Sequence, residues 1–139
     1  MARNRAVPKT GRVAVLTEGV RLPFPKKTAV KCAEKILSMV KGNKDHICIL
    51  FTDDAGIRGL NKKYRKRDKS TDVIAFETGD IAISAETAVK NSVRFGSAAA
   101  EELKLYMIHG ILHLSGYDDT SSSKRKEMRR AEGRILQGL

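Results

Sequence analysis

The sequence predicts an α/β fold of the α+β kind, a single domain in which one four-stranded mixed sheet is packed with helices. Short apolar, β-rich runs alternate with helix-period segments through the first half of the chain. Two of those runs are separated only by Glu77-Thr78-Gly79, which reads as an antiparallel hairpin. The second half carries three helical segments in succession. The predicted order is βαβαββααα.

Arg12 to Leu16 is a short apolar run and a predicted strand. Pro25 suits the first turn of a helix. Ala29, Val30, Ala33, Ile36, Leu37 and Val40 then recur at helical spacing, with Gly42 as the stop. Ile47 to Phe51 reads as a buried strand. Asp53 or Asp54 can cap a helix that runs to about Tyr64, with Ile57, Leu60 and Tyr64 on its inner face. Strands follow at Asp72 to Phe76 and at Asp80 to Ser84. The first two crossovers favour parallel strands, and the hairpin adds an antiparallel one. Ser84 or Ala85 opens a helix to about Phe95, which Gly96 ends. Ser97 is placed to cap the next helix, which begins at Ala98 and continues through His113. Leu103, Tyr106, Met107, Ile111, Leu112 and Leu114 make that helix apolar almost all round, so it is expected at the centre of the fold. A basic helix over about Ser122 to Gln137 closes the chain.

At 139 residues the chain is expected to form one domain, 1–139, with the first ten or so residues disordered. It contains no apolar run of about 18 residues, so no membrane span and no membrane partner are expected. The start, Met1-Ala-Arg-Asn-Arg-Ala, is basic but leads into no apolar stretch and does not read as a secretory signal. Cys32 and Cys48 lack CxxC spacing and read as buried thiols in a reducing cytoplasm.

The net charge of +11 points to an anionic partner, most simply nucleic acid. The basic residues are clustered. Arg58, Lys62, Lys63, Arg65, Lys66, Arg67 and Lys69 form one group, interrupted by a single acid, Asp68. Lys124, Arg125, Lys126, Arg129, Arg130 and Arg134 form a second. The chain has no Trp, three Tyr and four Phe, so phosphate contact is favoured over a base-stacking platform.

The chemistry concentrates in His109-Gly-Ile-Leu-His113-Leu-Ser-Gly116-Tyr117-Asp118-Asp119. Helical positions i and i+4 lie on one face with side chains roughly 5–6 Å apart, so two imidazoles can grip one ion. Gly116 stands where a helix needs a left-handed residue to stop. The chain can then turn and bring Asp118 or Asp119 back to the same ion. His-x3-His-x2-Gly-x2-Asp is the frame of a three-ligand metal site. Metzincin proteases share this frame but carry a glutamate directly after the first histidine as general base. Here that position is Gly110, which argues against peptide hydrolysis.

Beyond this motif, the chain resembles the YbeY family of metal-dependent endoribonucleases. The resemblance rests on His109 to Asp119, on Leu60-Asn61-x-x-Tyr64-Arg65-x-x-Asp68-x-x-Thr71-Asp72-Val73-Ile74-x-Phe76, and on Gly79-Asp80-Ile81-x-Ile83-Ser84. It implies a zinc ion and cleavage of single-stranded RNA near the 3′ end of small-subunit (16S) rRNA. It also implies a role in ribosome quality control and association with the small ribosomal subunit in the cytoplasm. By position it makes His109 and His113 metal ligands, with His109 part of the catalytic centre. Arg65 becomes the arginine that engages the substrate phosphate. Lys62, Lys63, Lys66, Arg67 and Lys69 are expected to hold flanking phosphates beside it.

Two departures stand out. The third ligand of the family is a histidine, where this chain has Asp119. A carboxylate is a competent zinc ligand, and two histidines with one carboxylate also suit other divalent ions such as iron or manganese. Asp118 matches a family aspartate and reads as structural. The link Glu77-Thr78-Gly79 is short beside the longer loop of many relatives. Two competing functions remain on the sequence alone. One is a metal-dependent hydrolase of another phosphoester or an amide. The other is a non-enzymatic ribosome assembly factor with a structural metal.

Overall fold

A computed structural model describes residues 12–40 and 46–139. Within them the elements are β1 (Val13–Thr17), α1 (Lys26–Ser38), β2 (Ile47–Thr52), α2 (Asp54–Arg65), β3 (Val73–Ala75), β4 (Asp80–Ser84), α3 (Ala85–Phe95), α4 (Ala99–Leu114) and α5 (Ser122–Gly138). This is the predicted order. The expected stop at Gly42 and the expected disorder of the first ten residues fall outside the described residues.

The strands form a four-stranded mixed sheet in the order β1-β2-β4-β3. β1 runs parallel to β2 and β2 parallel to β4, while β3 is antiparallel to β4. The antiparallel member is therefore the first strand of the hairpin, not the second as expected. The reason is burial. β4 is covered on both faces: Ile81 and Ile83 enter the main core, and Ala82 enters a smaller one with Ile57 and Ile74. Such a strand belongs inside a sheet. β3 buries only Ile74 and is flanked by polar Thr71 and Asp72, which suits an edge. The hairpin closes where Gly79 N–H donates to Phe76 O at 2.9 Å. Gly79 has φ +98°, and a Cβ there would stand 2.8 Å from the His46 carbonyl oxygen. Only glycine meets both conditions at no cost.

The main core fills the face of the sheet covered by α1 and α4, with α5 packed against α4, and Phe51, Ile49, Ile36, Met107 and Ile111 are fully buried. α2 lies on the opposite face over Ile57, Ile74 and Ala82. Asp53, not Asp54, caps α2 through the Gly56 N–H at 2.7 Å. Asp54 instead clasps the β4–α3 junction, accepting from Ser84 Oγ (2.6 Å), Thr87 Oγ1 (2.5 Å) and Lys90 Nζ (2.7 Å). Ser97 does not cap α4. The cap position is Ala98, and the Ser97 hydroxyl donates to Glu102 Oε2 at 3.1 Å. Cys32 and Cys48 are half-buried, less covered than expected. Among the described residues no helix is long and apolar enough to cross a membrane.

α4 is the central helix, packed against α1, α3, α5, β3 and β4. Gly110 lets it approach the sheet. A Cβ at this position would lie 2.7 Å from Ile81 Cγ2 and 3.3 Å from Val73 Cγ1. The residue type that a metzincin would need here is thus excluded sterically as well as absent.

Candidate metal centre

The C-terminal turn of α4 builds the site. Gly116 has φ +101°. Gly116 N–H donates to His113 O at 3.2 Å, and Tyr117 N–H to Leu112 O at 3.0 Å. These two bonds are the paired closure of a Schellman motif, which satisfies the last carbonyls of the helix. Tyr117 packs back on the core, and the chain then reverses toward α5. In this turn the two aspartates part company. Asp118 Oδ1 accepts from Thr120 N–H (3.0 Å) and Thr120 Oγ1 (2.8 Å), and Lys124 Nζ lies 3.5 Å from Oδ2. Its carboxylate serves the entry to α5. Asp119 faces the histidines.

His109, His113 and Asp119 each offer a ligand-type atom, and these atoms lie within 4.8 Å of one another. The two Nε2 atoms are 3.1 Å apart. A tetrahedral ion with ligands at about 2.0–2.2 Å needs donors roughly 3.3–3.6 Å apart. The histidine pair already has nearly that spacing, and exposed Asp119 has the side-chain freedom to complete it. The donor set therefore fits a divalent cation.

One histidine is oriented from behind. His109 Nδ1 lies 2.6 Å from Glu132 Oε2 on α5, which fixes the proton on Nδ1 and turns the Nε2 lone pair to the shared point. Burial works against a charged His109, but the Glu132 carboxylate outweighs it and the pKa is raised. Burial, and then the neighbouring His109, hold His113 below the usual imidazole range, in the neutral form that binds metal.

These groups open into a cleft of about 990 Å³. It is lined by His109, His113, Gly116 and Asp119 from α4 and the turn after it, and by Arg65, Arg67, Thr71, Asp72 and Phe76 from the end of α2 through the β3 region. Arg65 ends α2, and Lys66 follows with φ +59°, a left-handed conformation that costs a non-glycine residue about 1–2 kcal/mol. Buried Asn61 holds this turn: its carbonyl accepts from Arg67 N–H at 3.2 Å, and its Nδ2 donates to Lys69 O at 2.9 Å. Of the basic residues singled out in the sequence, Arg65 and Arg67 line the cleft. Lys62, Lys63, Lys66 and Lys69 are exposed around it, with Lys62 Nζ 4.0 Å from Asp68. Tyr64 is 58% exposed and does not line the inner face of α2 as expected.

Sequence reasoning missed Glu132, and it placed Arg125 and Arg129 in the second basic cluster without linking them to the site. These three join His109 and Asp119 around a smaller recess of about 160 Å³ on the α5 side. A signal existed. Met128, Ala131 and Ile135 form the inner face of α5, and Glu132 stands four residues after Met128, on the same face. An acid on the inward side of a basic helix has to meet a partner.

The chain matches the family model described as Endoribonuclease YbeY over residues 17–139. Endoribonuclease YbeY of Aquifex aeolicus is 38% identical over 120 residues, which cover 78% of this chain and 80% of that protein. Endoribonuclease YbeY of Bacteroides thetaiotaomicron is 33% identical over 132 residues, covering 89% of this chain and 96% of that protein. The solution structure of TM1509 from Thermotoga maritima superposes with a TM-score of 0.63 at 28% identity, covering 90% of this chain and 87% of the other. With the match running through both walls of the cleft, this chain belongs to the YbeY endoribonuclease family.

Proposed function

We propose that this chain, acting as one domain over residues 1–139, is a zinc-dependent endoribonuclease. Its substrate is single-stranded RNA. Its cellular task is maturation of the 3′ end of 16S rRNA and ribosome quality control, in the cytoplasm and in association with the small ribosomal subunit. One observation carries the chemistry: a His-His-Asp group and two arginines line the same open cleft.

His109, His113 and Asp119 would hold the ion, with His109 set by Glu132. When bound, a divalent cation with an open position polarises a phosphoryl oxygen and activates water. Asp119 adds negative charge that a third histidine would not, which moderates that polarisation. Arg65 presents a planar fork that matches phosphate and stays charged, so it binds the scissile phosphate and stabilises the charge that develops on it. Arg67 takes the adjoining phosphate. Lys62, Lys63, Lys66 and Lys69 steer the strand without reading its sequence. Asp72 lines the cleft, with Oδ1 accepting from Val73 N–H at 2.8 Å. We assign it the proton released by the attacking group. The cleft, about 990 Å³ and open to solvent, has room for a phosphate and its neighbouring sugars.

The competing reading of a structural metal calls for a fourth protein ligand. Among the described residues the group contains three donors, and they face a cleft. That favours catalysis. Purified protein is assayed on single-stranded RNA and on a peptide, each with and without chelator. The expected result is chelator-sensitive cleavage of RNA alone. Arg65→Ala should lose about 100-fold or more in rate while its metal content is unchanged. Loss of metal along with activity would make Arg65 structural.

A further inference from the structure

Beside the metal cleft lies an apolar recess of about 360 Å³ that none of the chemistry above uses. It follows from the fold. On the α2 side of the sheet, the outward side chains of β1 and β2 are only half-buried, and the end of α2 overhangs them. Leu50 and Leu60 form the interior, Tyr64 and Phe76 the mouth, and Thr78 and Asp80 the polar rim.

Three features bear on what enters it. First, Phe76 lines both this recess and the metal cleft, so the two are adjacent. Second, the Tyr64 ring stands edge-on to Phe76 with centroids 5.6 Å apart and remains 58% exposed. It is the neighbour in sequence of Arg65, which faces the scissile position, and Lys63 Nζ lies 5.1 Å from its centroid. Third, the rim is acidic. Thr78 Oγ1 donates to Asp80 Oδ2 at 2.7 Å, leaving a carboxylate that repels phosphate but accepts N–H groups.

We propose that this recess is a nucleobase subsite. It rests on the RNA-cleaving reading above. With one phosphate at Arg65, the sugar of a neighbouring nucleotide passes over Phe76. Its base stacks on Tyr64, above the apolar floor, and turns its pairing edge to Asp80. Every base has a π-face and an N–H donor on that edge, so the subsite selects an unpaired base and not a particular one. A base held this way has left any helix, and the recess thereby enforces single-strand specificity. The basic residues Lys63 and Arg65 flank the mouth, where the strand's phosphates pass.

The test uses the full chain and a short single-stranded RNA in which one abasic nucleotide is moved position by position past the cleavage site. Binding, measured by fluorescence anisotropy in chelator, is followed together with cleavage of the metal-loaded protein. In the wild type, one abasic position should weaken binding and kcat/KM by roughly 10- to 100-fold, the range of a single stacking contact. Tyr64→Ala should lose the same factor on intact RNA and become indifferent to that abasic position, while Tyr64→Phe keeps the wild-type pattern. Exposed Tyr64 tolerates both changes without unfolding. A wild type indifferent to every abasic position, or Tyr64→Ala as sensitive as the wild type, overturns the subsite while leaving the nuclease standing. RNA that is neither bound nor cleaved overturns both.

Discussion

Glu132 decides how well His109 can serve. Its carboxylate, 2.6 Å from His109 Nδ1, removes the choice of tautomer and aims Nε2 at the point shared with His113 and Asp119. Partners of this kind typically contribute 10- to 100-fold in metal affinity. Glu132→Ala should therefore weaken zinc binding by about that factor with little change in thermal stability, as a calorimetric titration would register. Unchanged affinity would reduce Glu132 to a surface ion pair. The histidine pair was legible in the sequence because its geometry is local: a helix guarantees that residues four apart share a face. Spacing left the choice between Asp118 and Asp119 open, and position in the family pattern pointed to Asp119. The folded turn adds the physical reason: Thr120 and Lys124 claim the first carboxylate. Glu132 lies further still along the chain, on a helix whose docking angle no spacing rule supplies.

At the scale of elements, α4 and the β3–β4 hairpin position everything else. Gly110 sets their separation, because a Cβ would sit 2.7 Å from the branched methyl of Ile81. Ile81 is 1% exposed and packed in the main core, so it cannot swing aside. Gly110→Ala should cost about 1–3 kcal/mol despite its better helix propensity, seen as a lowered midpoint in urea unfolding. A neutral or stabilising outcome would mean that helix and sheet have slack between them. Element types and most boundaries could be read from the sequence, since α1 carries a clear apolar stripe, α4 is apolar almost all round, and glycine or polar residues punctuate the helices. Strand order could not. Sequence order suggests that β3 joins β2, whereas the two-sided burial of β4 draws that strand into the gap instead. Tyr64 was misplaced for a related reason. It falls on the inner stripe of α2 by spacing, but an apolar recess lies beneath the end of the helix, so the ring stays 58% exposed.

Across the whole molecule, two basic tracts of a chain with net charge +11 both reach the site. The Arg58 to Lys69 tract supplies Arg65 and Arg67 to the cleft, and α5 supplies Arg125 and Arg129 to the recess behind the ion site. A strand crossing from one to the other passes the His-His-Asp group. RNA affinity should therefore fall steeply with salt, each phosphate contact contributing a slope of about −0.7 in log K against log salt for single strands. Lys69→Ala should reduce that slope by about 0.7 and leave the position of cleavage unchanged. An affinity insensitive to salt would remove the electrostatic part of the account.

The central claim is that His109, His113 and Asp119 converge on a single cation. Elemental analysis of purified wild type, His113→Ala, Asp119→Ala and Asp118→Ala tests it most directly. One zinc ion per wild-type chain is predicted, with near-complete loss in His113→Ala, marked loss in Asp119→Ala and full retention in Asp118→Ala. Full occupancy in His113→Ala, or greater loss from Asp118→Ala than from Asp119→Ala, would contradict it.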